Sequence, residues 1–296
     1  MDWILGRMSE RSSCGASFGN VKISDLDFAD DAVIFAETLD ILLGALEVLN
    51  EESEPLGLWV SWVKTKIQAF GDILDAAVLS VSVCGEDVEV VERFTYLGSD
   101  IHVSAGCESE VNRRLGRAWG VMDSLDHGVW RCRYLCGRTK VRVFRSLVLP
   151  VLLYGCETWT LTKDLRRRLN SFGTRSLRRI LGYRWSDFVS NERLLRETRM
   201  RFVTCIVRER QLRLYGHVAR FPDSDPAHQI LSARESHEWR RPVGRPRASW
   251  LQQVDHHLKE MGMGLASAWG MARRRPLEYR RKVDAVTCCS GTCSHT

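Results

Sequence analysis

Asp25-Leu26-Asp27-Phe28-Ala29-Asp30-Asp31-Ala32-Val33-Ile34-Phe35-Ala36 sets four carboxylates between two apolar segments, and the reading of the whole chain turns on it. Val21, Ile23 and Leu26 read as a short half-buried strand, and Ala32 to Ala36 is a continuous apolar run suited to a buried strand. The stretch therefore predicts a hairpin with Asp30 and Asp31 at its tip. Adjacent carboxylates at a rigid turn repel one another unless something positive lies there, and a hard divalent ion such as Mg²⁺ takes oxygen ligands of this kind. Taken alone, an Asp-Asp pair more often serves a turn, its side chains satisfying backbone N–H groups.

The chain around this stretch is patterned in three parts. Before it, Met1 to Asn20 reads as an irregular lead-in with no domain of its own. After it, Thr38 is placed to cap a helix whose Leu39, Leu42, Leu43, Leu46 and Leu49 recur at helical spacing, ended by Pro55 and Gly57 and packed under a sheet. Gly57 to Phe70 reads as a turn and two short strands, and Leu79 to Val90 as a hairpin turning at Gly85-Glu86-Asp87.

From about Cys107 the pattern becomes helical. Val111, Leu115, Ala118, Trp119, Met122 and Leu125 form one apolar face, with Arg113, Arg114 and Arg117 off it. Arg138 to Tyr154 predicts a buried helix kinked at Pro150, and Lys163 to Leu181 one with an apolar face and a guanidinium face of Arg166, Arg167, Arg168, Arg175, Arg178 and Arg179. Arg208, Arg210 and Arg213 continue the basic pattern, Trp239 to Arg247 reads as an exposed basic loop with Arg240, Arg241, Arg245 and Arg247, and amphipathic helices follow over Ala248–Met261 and Leu265–Arg281. His256-His257 reads as helix surface.

Charge divides along the same line. Residues 1–106 hold 6 Lys+Arg against 19 Asp+Glu, net −13, whereas 107–296 hold 37 against 18, net +19. A basic half favours a polyanion through phosphate contacts and counterion release, an acidic half suits carboxylates that hold divalent metal, and a basic helix face also serves simply as solvated surface. Arginine forks suit phosphate oxygens, and Trp159, Tyr183 and Trp185 nearby would stack on bases or riboses.

At 296 residues with 44% hydrophobic and 27% charged side chains, the composition is that of a globular protein of two or three modest domains. No apolar run reaches the roughly 18 residues of a membrane helix, and no signal core opens the chain, so an intracellular protein of nucleus or cytoplasm without a membrane partner is expected. Ten scattered cysteines read as reduced thiols. Cys288, Cys289, Cys293 and His295 are poorly spaced for a zinc knuckle, and His127, Cys132 and Cys136 lack an obvious fourth ligand, so zinc is not expected. No Gly-rich phosphate loop, Ser-His-Asp arrangement or His-Glu-x-x-His string is present.

Phe28-Ala29-Asp30-Asp31, the leucine-rich helix, Gly57 to Thr65 and Phe94-Thr95-Tyr96-Leu97-Gly98, taken in order, resemble the palm of a reverse transcriptase of the LINE type encoded by non-LTR retrotransposons. Val151-Leu152-Leu153-Tyr154-Gly155-Cys156-Glu157-Thr158-Trp159, Arg178 to Gly182, Gly216 to Arg220 and Arg241 to Arg247 extend the resemblance over nearly the whole chain. It implies an α+β fold: a partial palm of antiparallel hairpins plus a helix over 1–101, a helical thumb over 102–186 and a basic helical region over 187–296. It implies that Asp30, with Asp31 beside it, is the metal ligand of one of at least two carboxylate strands holding Mg²⁺, that Lys64 assists the pyrophosphate leaving group, and that Phe94, Tyr96, Leu97 and Gly98 lie in a primer grip. Ser61 departs from the Asn usual in the family.

The fingers and the first catalytic aspartate motif of such an enzyme are not in the sequence. The expectation is therefore RNA and DNA (primer-template) binding without polymerisation by the chain alone, with Mg²⁺ bound only if the site is completed. The competing readings are a remnant acting as an interaction module, with a palm edge open to pairing with another protein or to self-association, and a pseudogene product without a stable fold.

Overall fold

The structure, a computed structural model, describes residues 2–19, 21–71, 78–104, 106–232 and 249–285, and the backbone alone of 286–289. It is α+β. The elements begin with α1 (Asp2–Arg11), β1 (Ala16–Phe18), β2 (Val21–Ile23), β3 (Asp25–Phe28), β4 (Asp31–Ile34) and α2 (Leu39–Ser53). Then come β5 (Lys66–Ile67), β6 (Ser80–Val83), β7 (Glu86–Val90), β8 (Arg93–Tyr96), β9 (Ser99–His102), α3 (Glu108–Ser124), α4 (Gly137–Val143) and α5 (Leu149–Leu152). The remainder is α6 (Lys163–Leu181), α7 (Asn191–Thr198), α8 (Val203–Val218), α9 (Pro226–Ser232), α10 (Trp250–Lys259), α11 (Leu265–Arg274) and α12 (Pro276–Cys289). Two compact units result, one of Met1–Tyr96, Ile101–Ala105 and Pro222–Gly244, the other of Leu97–Asp100, Gly106–Phe221 and Arg245–Thr296.

The first unit is built on α2. Thr38 accepts the Ile41 N–H at its start, and Gly57, at φ 71°, turns the chain away beyond its end. One flank of α2 packs Ala45 against Leu5, Met8 and Cys14, and the other packs Leu46 against Ile67, Val83 and Val88 of a three-stranded sheet ordered β5-β7-β6. β6 and β7 form the expected antiparallel hairpin, but its turn is Cys84-Gly85, both with positive φ, and Glu86 and Asp87 already belong to β7.

Three expectations are corrected in this unit. The first half of the lead-in is a helix, because Ile4, Leu5 and Met8 fall on one face and are buried, whereas Ser12 to Gly15 are irregular as expected. Gly57 to Phe70 holds one two-residue strand, β5, which pairs in parallel with β7; the segment before it is a turn in which Lys64 and Thr65 donate to the Ser61 carbonyl. The apolar run after Asp31 is not a buried strand: Ala32 is exposed and Val33 to Ala36 are half-buried, since β3 and β4 pair only with each other among the described residues.

The second unit has two cores. Met122, Phe144, Leu152, Leu169, Phe172, Leu177 and Leu194 gather α3 to α7 and the start of α8 around one, while Leu212, Tyr215, Val254, Leu258, Ala268 and Tyr279 join the later part of α8 to α10, α11 and α12. The expected helix over 138–154 is α4 and α5 joined by a wide π-turn, Phe144–Val148. Pro150 cannot donate to the preceding turn, and the widened backbone comes just before it. The expected helix over 265–281 breaks at Arg275, where Pro276 starts α12.

Candidate nucleic-acid interface

Asp30 lies in the two-residue turn of the β3–β4 hairpin beside Ala29 (φ 57°), and Asp31 opens β4 opposite Phe28. Both carboxylates are exposed, and Phe28 is 62% exposed. Asp27 shares a hydrogen bond with the Asp2 carboxyl of α1, which raises Asp27 above the usual carboxylate range and lowers Asp2. Tyr96 is brought to the same place: burial raises its phenol first, and the charges of Asp31 and Asp27 raise it further. The first unit thus gathers the hairpin carboxylates and Tyr96.

Lys64 is exposed in the 61–65 turn and makes no side-chain hydrogen bond or ion pair among the described residues. Among those residues no group of three or more His, Cys, Asp or Glu side chains converges as a metal site requires. Asp30 and Asp31 offer hard oxygen donors from one hairpin only, which is part of a divalent-cation site and not the whole of one.

The Phe94-to-Gly98 string ends in a tight turn whose left-handed residues, Leu97 (φ 46°) and Gly98 (φ 78°), fit a two-residue hairpin loop. Within the second unit this turn is clamped. The Gly98 carbonyl accepts from the guanidiniums of both Arg113 and Arg114 at 2.6 Å, and the Leu97 carbonyl accepts from the Tyr154 hydroxyl at 2.9 Å. The Arg114 guanidinium lies 4.5 Å from the centre of the Tyr154 ring, a cation–π contact. Glu110 joins the arginines from one turn earlier and also accepts the Asp100 N–H. Burial raises the Glu110 carboxyl, but the bonds from Arg114, Arg113 and Asp100 outweigh it and leave it below the usual range. Arg114, expected off the apolar face, is therefore buried because it has this partner.

α6 is the helix that the sequence outlines, capped by Thr162, which accepts the Leu165 N–H, and ended by Gly182 at φ 76°. Between α6 and α3 runs a groove of about 520 Å³. Leu115, Trp119 and Phe172 form its apolar part, with the two rings edge to face at 4.8 Å, and Arg167, Arg168, Arg175, Asn112 and Ser171 its polar part. Asp164 in the first turn of α6 pairs with Arg167 at 2.7 Å and with Arg168 at 3.2 Å, while Arg168 also reaches Asn112 and Glu108. Arg175 is exposed and without a partner among the described residues. Exposed pairs of this kind contribute about 0–1 kcal/mol, so exchanging Asp164 for a phosphate costs little.

The remaining arginines of the same face are tied into the fold. Arg178 donates to the Val189 carbonyl and to Asn191, Arg179 pairs with Asp123 and Asp126, and Arg166 is half-buried near His257. Asp123 and Asp126 add to the balance that Asp164 alone gives within the helix. Arg208 is buried against Glu260 and the His257 carbonyl, Arg210 donates to the Leu153 carbonyl, and Arg213 pairs with Glu209 and Asp284. Arg240, Arg241, Arg245 and Arg247, and the Cys293 and His295 pattern, lie outside the described residues, as do the side chains of Cys288 and Cys289.

Of the three aromatic residues considered for stacking, Trp159 is buried in the core, Tyr183 donates to Glu197, and Trp185 is exposed. Trp119 and Phe172 were legible only as core positions, because their share in a groove depends on which helix lies opposite. Over 240 residues the chain is 26% identical to a transposon-derived protein of Caenorhabditis elegans, covering 78% of this chain and 84% of that one. The similarity supports a transposon origin. No family model matches the chain. No helix among the described residues is long and apolar enough to cross a membrane.

Proposed function

We propose that this transposon-related chain is a nucleic-acid-binding protein of the LINE-type reverse transcriptase lineage, and that it binds phosphate backbones along the α3–α6 groove. The observation that carries this reading is the convergence of Arg167, Arg168 and Arg175 beside Trp119 and Phe172. Guanidinium forks are matched to phosphate oxygens, and the net +19 of residues 107–296 supplies the wider field that draws a polyanion in. Arg175 has no partner among the described residues and Arg167 and Arg168 are held only by exposed groups, Asp164, Glu108 and Asn112, so these three are the phosphate contacts of the reading. In the same reading, Asp30 and Asp31 are inherited metal ligands and Tyr96 to Gly98 an inherited primer-grip turn.

The test is a salt titration of binding to a primer-template duplex. Removing one arginine that meets a phosphate should reduce the slope of log K against log salt by roughly 0.9 on duplex DNA. The R167Q/R168Q/R175Q variant should therefore flatten the slope by about 2 to 3. A native chain that binds with no dependence on salt sinks the proposal.

A second reading rests on the β3–β4 hairpin, whose exposed Leu26 and Phe28 and unpaired strand edges among the described residues would suit strand pairing with another copy. Salt-indifferent, concentration-dependent sedimentation that F28S abolishes would favour it.

A further inference from the structure

The segment between α6 and α7 holds two large aromatic residues in water. Trp185 and Phe188 are each 86% exposed, with ring centres 6.3 Å apart and planes at 73°. Burial gives the fold no return for placing them there, and Phe188 takes a left-handed backbone (φ 48°) that side-chain-bearing residues rarely adopt. The loop is nonetheless held at both ends. The Arg184 N–H donates to the Asp187 carboxylate at 2.7 Å, Arg178 holds the Val189 carbonyl at 2.9 Å, and the Ser190 hydroxyl caps α7. The rings are thus presented on a braced turn.

Two cations accompany them. Arg184 adjoins Trp185 in the chain, and Arg193 lies near enough to act on the Tyr183 phenol. Both are exposed and make no side-chain ion pair among the described residues. Of the acids alongside, Glu197 accepts the Tyr183 hydroxyl and Asp187 the Arg184 N–H.

We propose that Trp185 and Phe188 form a stacking platform for the unpaired bases of single-stranded nucleic acid, with Arg184 and Arg193 meeting the phosphates that flank those bases. Every base has a π-face, so such a platform accepts any sequence, whereas paired bases in a duplex are closed to it. The inference rests on the nucleic-acid reading and deepens it, assigning single strands to this loop and leaving duplex backbone to the α3–α6 groove.

The experiment measures fluorescence anisotropy of the full chain with a labelled dT20, a labelled rU20 and a 20-base-pair DNA duplex. W185A/F188A should weaken binding to the single strands about tenfold or more, since stacking contributes roughly 1–3 kcal/mol per base, and leave duplex binding within about twofold. W185F/F188Y, which keeps both π-faces, should restore most of the affinity; dT20 and rU20 together show whether the sugar matters. Unchanged single-strand binding by W185A/F188A overturns the platform even where R167Q/R168Q/R175Q weakens duplex binding and so upholds the groove. The reverse pattern upholds the platform and removes the groove. Self-association that W185A/F188A abolishes, with single-strand binding intact, would make the ring pair a protein contact and also overturn the proposal.

Discussion

His257 is buried on α10, with its Nδ1 lacking a hydrogen bond among the described residues, and so departs from the helix-surface position expected of it. Burial first, and then the charges of Arg208, Arg166 and His256, hold its pKa down at about 3 against 6.5 for a free imidazole. A depressed folded-state value means that the unfolded chain takes up a proton that the folded chain refuses as pH falls from 6.5 toward 3. Stability is therefore complete above about pH 6.5 and declines below it. Thermal melts between pH 7.5 and 5 should show this fall, and His257→Gln should flatten it; equal slopes in both proteins would refute the assignment. Gly216 is a site of close packing on α8. A Cβ there would stand 2.3 Å from the Tyr279 ring, itself buried and bonded through its hydroxyl to the Leu212 carbonyl. Gly216→Ala should destabilise by about 1–3 kcal/mol in a denaturant titration, with the helical signal of the native state retained.

At the scale of elements, the helices were the most legible part of the sequence, because period and caps act locally. α6 runs over Lys163–Leu181 as its pattern predicts, and Leu165, Leu169, Phe172, Leu177 and Ile180 are all buried as their spacing requires. Thr162→Ala should cost about 1 kcal/mol, measured by chemical denaturation, through the loss of the bond from the Leu165 N–H. The hairpin of β3 and β4 was legible in its turn but not in its burial. Burial depends on what covers a strand, and in the first unit Phe28 is left in water. Phe28→Ser should accordingly shift stability by no more than about 0.5 kcal/mol, and a larger loss would mean that the hairpin is packed.

For the molecule as a whole, the acidic and basic halves of the sequence bear on what each can attract. The hairpin carboxylates come from one short ribbon, and Lys64 makes no ion pair with them among the described residues. On a primer-template with Mg²⁺ and deoxynucleotides, the chain is expected to give no extension, with wild type and Asp30→Ala indistinguishable. Extension that Asp30→Ala abolishes would reverse this expectation.

The sequence by itself determined the ends of α2, the apolar faces of α2, α3 and α6, the β6–β7 hairpin and the carboxylate turn, because each is written in neighbouring residues. Only the tertiary structure decided which cations are free. Arg114 and Arg208 are buried and Arg179 is paired, whereas Arg175 is open, although all four read alike in the sequence. A charged side chain enters the interior only where acceptors from other segments meet it, here Gly98, Glu260, Asp123 and Asp126. Those meetings depend on the packing of whole elements, which no local pattern records.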